Sequence, residues 1–274
     1  MRRVGEHPVP TGPLAARWLA YELDPPRAGA RGHARLRVEN AGSATWRSRV
    51  GEGVHLSYHW LDPLGNPLHW DGLRAALPRP VSPGEQVELD VPVLAPRPPG
   101  QYRLAFDFVE ENRFWFAELG QVPLDVETEV LPRIAERRLA VRLHGGPDRE
   151  TAAALAAQEE PVVETEPAAV AHLVPGALPA PDWSRRILDA HAEGWEAVGP
   201  GIEPLGLRKL RSLDSWKPGG GRNPRFGPPL LLPSLLVGLE PGVHDEYPAY
   251  TGNDGVFDGR IVIRLRPRSD RRGA

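Results

Sequence analysis

The feature that most limits what this chain can become is a period-2 alternation that recurs between residues 53 and 130. In "GVHLSYHWL" (53–61), Val54, Leu56, Tyr58 and Trp60 fall on one side of an extended chain, and His55, Ser57 and His59 on the other. "EQVELDVPVLAP" places Val87, Leu89, Val91 and Val93 together, and "GQYRLAFDFVEE" does the same for Tyr102, Leu104, Phe106 and Phe108. "QVPLDVETEV" gives Val122, Leu124, Val126 and Val130. A helix repeats its face every three to four residues, so this spacing belongs to strands with one buried and one wet side. The strands are separated by turn-forming stretches: "NAGSATW", "DPLGNP", "RPVSPGE" and "APRPPGQ". Six to eight strands spaced in this way predict a two-sheet antiparallel sandwich of immunoglobulin type over residues 15–131.

Composition agrees where it bears on the fold. Thirty-two prolines and 29 glycines supply many turns, and 274 residues suffice for two domains. A net charge of −3 gives no reason to expect nucleic acid. With no cysteine, disulfides and thiolate metal sites are excluded. Neither the first 25 residues nor the proline-broken "PPLLLPSLLVGLEP" (228–241) has the apolar length of a signal or a membrane span. The expectation is a soluble, cytoplasmic protein with a flexible lead-in at 1–14 and a disordered basic tail at 267–274.

The run from "VENAGSATW" through "VHLSYHWLDPLGNPLHWDGLRAALPRPVSPGEQVELDVPVLAPRPPGQYRLAFDFVEENRFWF" resembles the immunoglobulin-like modules attached to bacterial polysaccharide-biosynthesis enzymes. The likeness covers roughly residues 33–130 and implies an accessory, sugar-binding domain. Its aromatic residues divide by position. Trp60 is in phase with the core. Trp46 and Trp115 are expected either to pack at the sandwich edge or to stack on a ligand. Trp70, flanked by His69 and Asp71 in "PLHWDGLR", is the candidate for an exposed platform, where a flat indole covers a sugar face and polar neighbours bind hydroxyls. His55 and His59 lie about 13 Å apart at ~3.3 Å per residue, too far to share a metal, and are expected to face solvent.

Composition shifts near 131–138, where a second, small α/β domain is expected over 138–266. "RLAVRLHGG" reads as a strand, "PDRETAAALAAQEE" as a helix, and "PVVETE" and "AAVAHLVPG" as strands. In the helix that follows, Asp182 stands at the cap, and Trp183, Ile187, Leu188 and His191 form the apolar stripe. "WEAVGPGIEP" returns as a strand. This order, over about 138–204, resembles family 2 glycosyltransferases of the nucleotide-diphospho-sugar fold. That family places an acidic Asp-x-Asp pair where Val174, Pro175 and Gly176 stand here. The acids that hold a divalent cation against the diphosphate are therefore missing, and the resemblance implies a degenerate site.

Remaining ligand candidates are His144 at a strand end, Asp182, and Arg222 with Asn223 in the glycine-rich "KPGGGRNPRFGPP". Asp254 and Asp258, in a Gly-punctuated turn, are the weak metal candidates, and no cofactor is implied. No catalytic pair or triad emerges. Three functions remain open. One is a non-catalytic accessory protein of cell-envelope polysaccharide assembly, binding a glycan, a nucleotide-sugar or a partner enzyme. The others are a glycosyltransferase working without the acidic pair, and a protein–protein module unrelated to sugar.

Overall fold

The computed structural model describes residues 1–143, 149–173, 177–204 and 255–265, and the chain is predominantly β. It divides into two compact units, Met1–Leu131 and Pro132–Ala274.

The first unit contains strands β1 (Arg2–Arg3), β2 (Ala16–Leu23), β3 (Arg31–Asn40), β4 (Ser48–Arg49), β5 (Glu52–Leu61), β6 (Pro67–His69), β7 (Ala75–Ala76), β8 (Gln86–Leu94), β9 (Gly100–Glu110), β10 (Phe114–Trp115) and β11 (Leu124–Val130). One sheet has the order β1-β2-β3-β8. The other runs β10-β9-β5-β4, with β11 on β9 and both β6 and β7 on β5. All these pairings are antiparallel. The predicted inward residues of β5, β8 and β9 are buried in a single core. Trp46 lies fully inside it rather than at its edge, against Phe108 and Phe116 at ring separations of 4.9 and 5.9 Å.

Polar atoms of the core aromatics join the two sheets. Trp60 Nε1 donates to Leu94 O at 2.9 Å, and Leu94 N donates to the Tyr58 hydroxyl at 2.8 Å. Buried phenols and indoles are tolerated where such partners exist. Asn40 serves the turn after β3, donating to Ala44 O and Val81 O and accepting from Gly42 N.

Two expectations change at the margins. The lead-in at 1–14 is not loose at its start: Arg2 and Arg3 pair with Tyr21 and Ala20, and Val4 N donates to Leu19 O. The free edge of β2 offers backbone groups that the lead-in satisfies. Val122 is exposed and precedes β11, whose inward residues are Leu124, Val126 and Val130.

In the second unit, β12 (Leu139–Leu143) and β13 (Ala169–Leu173) pair in parallel, with helix α1 (Arg149–Ala156) between them in sequence. Parallel neighbours require such a crossover. "PVVETE" contributes an isolated parallel bridge, Leu139 with Val162, and not a full strand. A three-stranded sheet contains β14 (Ala177–Pro179), β15 (Ala197–Pro204) and β16 (Gly255–Leu265) in the order β14-β16-β15. Helix α2 (Trp183–Ala192) buries its stripe of Trp183, Ile187, Leu188 and His191.

Asp182 precedes α2 but its carboxylate makes no capping bond; it pairs instead with Arg186 and, at 3.8 Å, with Arg185. A guanidinium one turn along the helix outcompetes the backbone N–H groups for the carboxylate. Among the described residues, no helix is long and apolar enough to cross a membrane.

Candidate functional site

The two sheets of the sandwich treat their outer faces differently. On the β3–β8 sheet the outer residues are charged and paired across strands: Arg37 with Glu88 at 2.6 Å, Arg17 with Glu39 at 2.7 Å and His33 with Asp90 at 3.2 Å. That face is wet. The outer face of β5 and β9 carries His55, Ser57, His59 and Asp107, and all four are buried. His55 and His59, expected to face solvent, are only 6% and 2% exposed. The residues after β5 return along its edge as β6 and β7, and β10 pairs with β9 on the far side, so that Trp70, Arg74 and Trp115 reach the outer face from these segments.

Gly72 permits this close approach. Its N–H donates to Tyr58 O at 3.0 Å, and a Cβ built there would stand 2.5 Å from that oxygen and 2.7 Å from the Tyr58 ring. Gly72→Ala is therefore expected to lift the segment that carries Trp70 and Arg74, at a cost of about 1–3 kcal/mol, the usual range for overpacking. Urea denaturation measures the loss.

His59 is the floor of the cluster. Its Nδ1 donates to the Trp70 carbonyl, which fixes the tautomer and leaves Nε2 as a bare acceptor, buried without a partner. Burial holds its pKa below the ordinary histidine value, so the ring stays neutral. The Trp70 indole stacks on this ring at 3.9 Å and 18°, and Trp115 meets it edge-on at 4.4 Å. One face of Trp70 is thus covered, while the residue as a whole remains 50% exposed.

Arg74 ties the cluster together. Its Nε donates to Glu111 at 2.7 Å, and its terminal nitrogen reaches Ser57 Oγ at 2.9 Å and Asp71 at 2.6 Å. The guanidinium also lies 5.0 Å over the Trp115 ring. Asp107 is deeper, accepting from Phe108 N at 2.8 Å and Ala117 N at 3.1 Å. Burial pushes its carboxyl up to about 7.

These groups bond mainly to one another and so hold a surface. The Ser57 hydroxyl is engaged by Arg74 and no histidine bonds it, and both Asp107 oxygens are spent on backbone N–H groups. Among the described residues no three histidines or acids are placed to hold a metal.

The sequence candidates therefore scatter. Trp70 and Trp115 meet on this face and exposed Asp71 joins them through Arg74, whereas exposed His69, the register partner of the core residue Trp60, is not brought into the cluster. Asp182 belongs to the second unit and is occupied by arginines. Asp258, expected in a turn, lies in β16 opposite Pro200, because β16 pairs with β15 across a register shift there. His144, the loop 174–176, Arg222, Asn223 and Asp254 lie outside the described residues. His59, Arg74, Ser57, Asp107 and Glu111 join the site only through the fold.

No known family model matches the chain, and no curated protein matches it either. Similar solved structures include the C-terminal domain of Wzt, at 14% identity and a TM-score of 0.30, covering 44% of this chain and 72% of that one. A family 123 glycoside hydrolase from Clostridium perfringens is 11% identical with a TM-score of 0.20, over 42% of this chain and 24% of that one. A PapD-like domain of human CEP192 is 12% identical at 0.20, over 40% and 81%. Scores this low lend no weight to any function, which has to be argued from the chain's own residues.

Proposed function

We propose that the sandwich is a non-catalytic glycan-binding module of an accessory protein in cell-envelope polysaccharide assembly, with Trp70 as its stacking platform. The observation that carries this reading is the half-exposed Trp70 indole, backed by the buried His59 ring. A sugar pyranose offers a flat C–H face to an indole and hydroxyls at its rim. Asp71, His69 and Arg74 stand beside Trp70 in sequence, and Asp71 and Arg74 are already paired to each other. The backing matters energetically, because an aromatic ring that is already fixed loses little freedom when a ligand stacks on it. Exposed Leu64 and Leu68 on the same hairpin extend the apolar surface. The resemblance to modules of polysaccharide-biosynthesis enzymes supports the same class of ligand.

The test is calorimetric titration of the full chain with neutral bacterial-type oligosaccharides, wild type against Trp70→Ala. Binding is expected to weaken by about tenfold or more, as for a central aromatic contact, with the circular dichroism spectrum unchanged. Equal affinity in the variant removes Trp70 from the account. Binding of a protein but no glycan favours the interaction-module reading instead.

A further inference from the structure

We infer that the sandwich carries a second, anion-binding site in a cleft formed by Arg47, Arg49 and Arg79. The cleft measures about 250 Å³ and is also lined by Ser48 and the 77–80 segment. It stands apart from the Trp70 platform. Ser48 pairs with Gly53, six residues before His59 on β5, a span of about 20 Å at ~3.3 Å per residue. The inference does not rest on glycan binding at Trp70.

The local sequence builds the cleft. In "WRSR" (46–49), Trp46 is buried and Ser48 half-buried while Arg47 and Arg49 are exposed, so the two arginines leave the same side of the chain. Ser48 anchors the floor: its hydroxyl donates to Val54 O at 2.5 Å and accepts from Leu77 N at 2.8 Å. Trp46 and Val81 exchange two backbone bonds of 2.9 and 3.0 Å, which fix the opposite wall. The arginines therefore project from a stiff frame.

Three arginines lining one cleft are what set this place apart. Several arginines of the sandwich meet carboxylates, among them Arg17 with Glu39, Arg37 with Glu88 and Arg103 with Asp125. Arg79 is held by Glu85 at 3.2 Å and by the carbonyls of Pro80 and Gln86. The side chains of Arg47 and Arg49 have no hydrogen bond or ion pair with any described residue. Glu52 is the backbone partner of Arg49 across the turn but is not within ion-pair distance. Two guanidinium groups without a carboxylate partner, lining the same cleft, favour a counter-anion there. Planar guanidinium forks match the paired oxygens of a carboxylate or a phosphate, which names the ligand class.

The experiment is calorimetric titration of the full chain, in low-salt buffer free of phosphate, with sodium phosphate, with sodium glucuronate and with glucose as the neutral control. Saturable binding of an anion is expected, weakening as salt is added. Tighter binding of glucuronate than of phosphate identifies a sugar-borne acid as the source, and the reverse order a free oxyanion. The double variant Arg47→Gln/Arg49→Gln should lose affinity by about tenfold or more, whereas Trp70→Ala should bind the anion unchanged. Both arginines are exposed, so an unaltered unfolding midpoint in the double variant verifies the fold. The site is disproved by absence of saturable binding up to about 10 mM of either anion, a range that reaches millimolar affinities. Equal affinity in the double variant disproves it too, as does glucose binding as tightly as the anions to Trp70→Ala, which lacks the sugar platform.

Discussion

Replacing Trp46 with alanine should lower the stability of the sandwich by about 3–5 kcal/mol, the largest effect expected of any single substitution in it. Trp46 is fully buried and joins the two sheets through an aromatic cluster. Phe108 contacts it at 4.9 Å and Trp18 stacks on Phe108 at 5.5 Å, while Phe116 reaches both Trp46 and Phe108. Truncation opens a cavity between rings that cannot collapse, since each is held by a different strand or turn. Trp46 Nε1 is buried without a partner, so its indole N–H contributes nothing that phenylalanine lacks. Trp46→Phe is accordingly expected to cost much less than Trp46→Ala. Urea denaturation of the three proteins decides the matter, and equal losses for Ala and Phe would contradict the cluster's role.

Asp107 gives the sandwich a pH dependence of opposite sign to that of a salt-bridged acid. In the folded chain burial raises its pKa to about 7, above the ordinary carboxylate value of 3.8, and the charge of Glu118 adds to the shift. Between about pH 4 and 7 the folded state binds more protons than the unfolded state. Stability therefore falls as pH rises through that window and levels off above it. At 1.36 kcal/mol per unit, the full loss is on the order of 4 kcal/mol. Asp107→Asn removes the titration, but its amide nitrogen cannot accept from the second backbone N–H, so the variant should be less stable than the wild type near pH 4 while its own stability stays flat from pH 4 to 8. Thermal unfolding across this range is the measurement. Parallel curves for the two proteins would show that Asp107 does not titrate within the window.

Much of this architecture was legible in the sequence. Alternating residues such as Leu56, Tyr58 and Trp60 point into the core because nothing else can bury them, and Ile187, Leu188 and His191 mark the packed face of α2 for the same reason. What failed was the inference that the other side of β5 must be wet. Period-2 alternation reports which side is more apolar, and a side made of His and Ser counts as polar even when another layer covers it. The signal that separates the two cases lies in the kind of polarity. The solvent-exposed face of β3 and β8 carries Arg35, Arg37, Glu88 and Asp90, full charges that water must solvate. The covered face of β5 has no Lys, Arg, Asp or Glu between Val54 and Trp60, only neutral groups that can be buried when bonded.

The site was legible only at its rim. Trp70, His69 and Asp71 announce themselves as neighbours in one turn, whereas Ser57, Arg74 and Glu111 come together from three separate segments. Gly72 was the one local clue, a residue without a side chain where the returning segment touches β5. Asp182 misled for a simpler reason: cap residues are identified by position, and its position is right while its carboxylate is taken by Arg186.

Trp70, backed by His59, is the place proposed for glycan stacking. The most direct measurement is the two-dimensional NMR spectrum of the indole N–H groups while a neutral oligosaccharide is added to the full chain. Glycan stacking on Trp70 should give saturable shifts at the signals assigned, by substitution, to Trp70 and its neighbour Trp115, with the buried Trp46 and Trp60 signals unmoved. Saturable shifts confined to other tryptophans, or none at any sugar concentration, would contradict it.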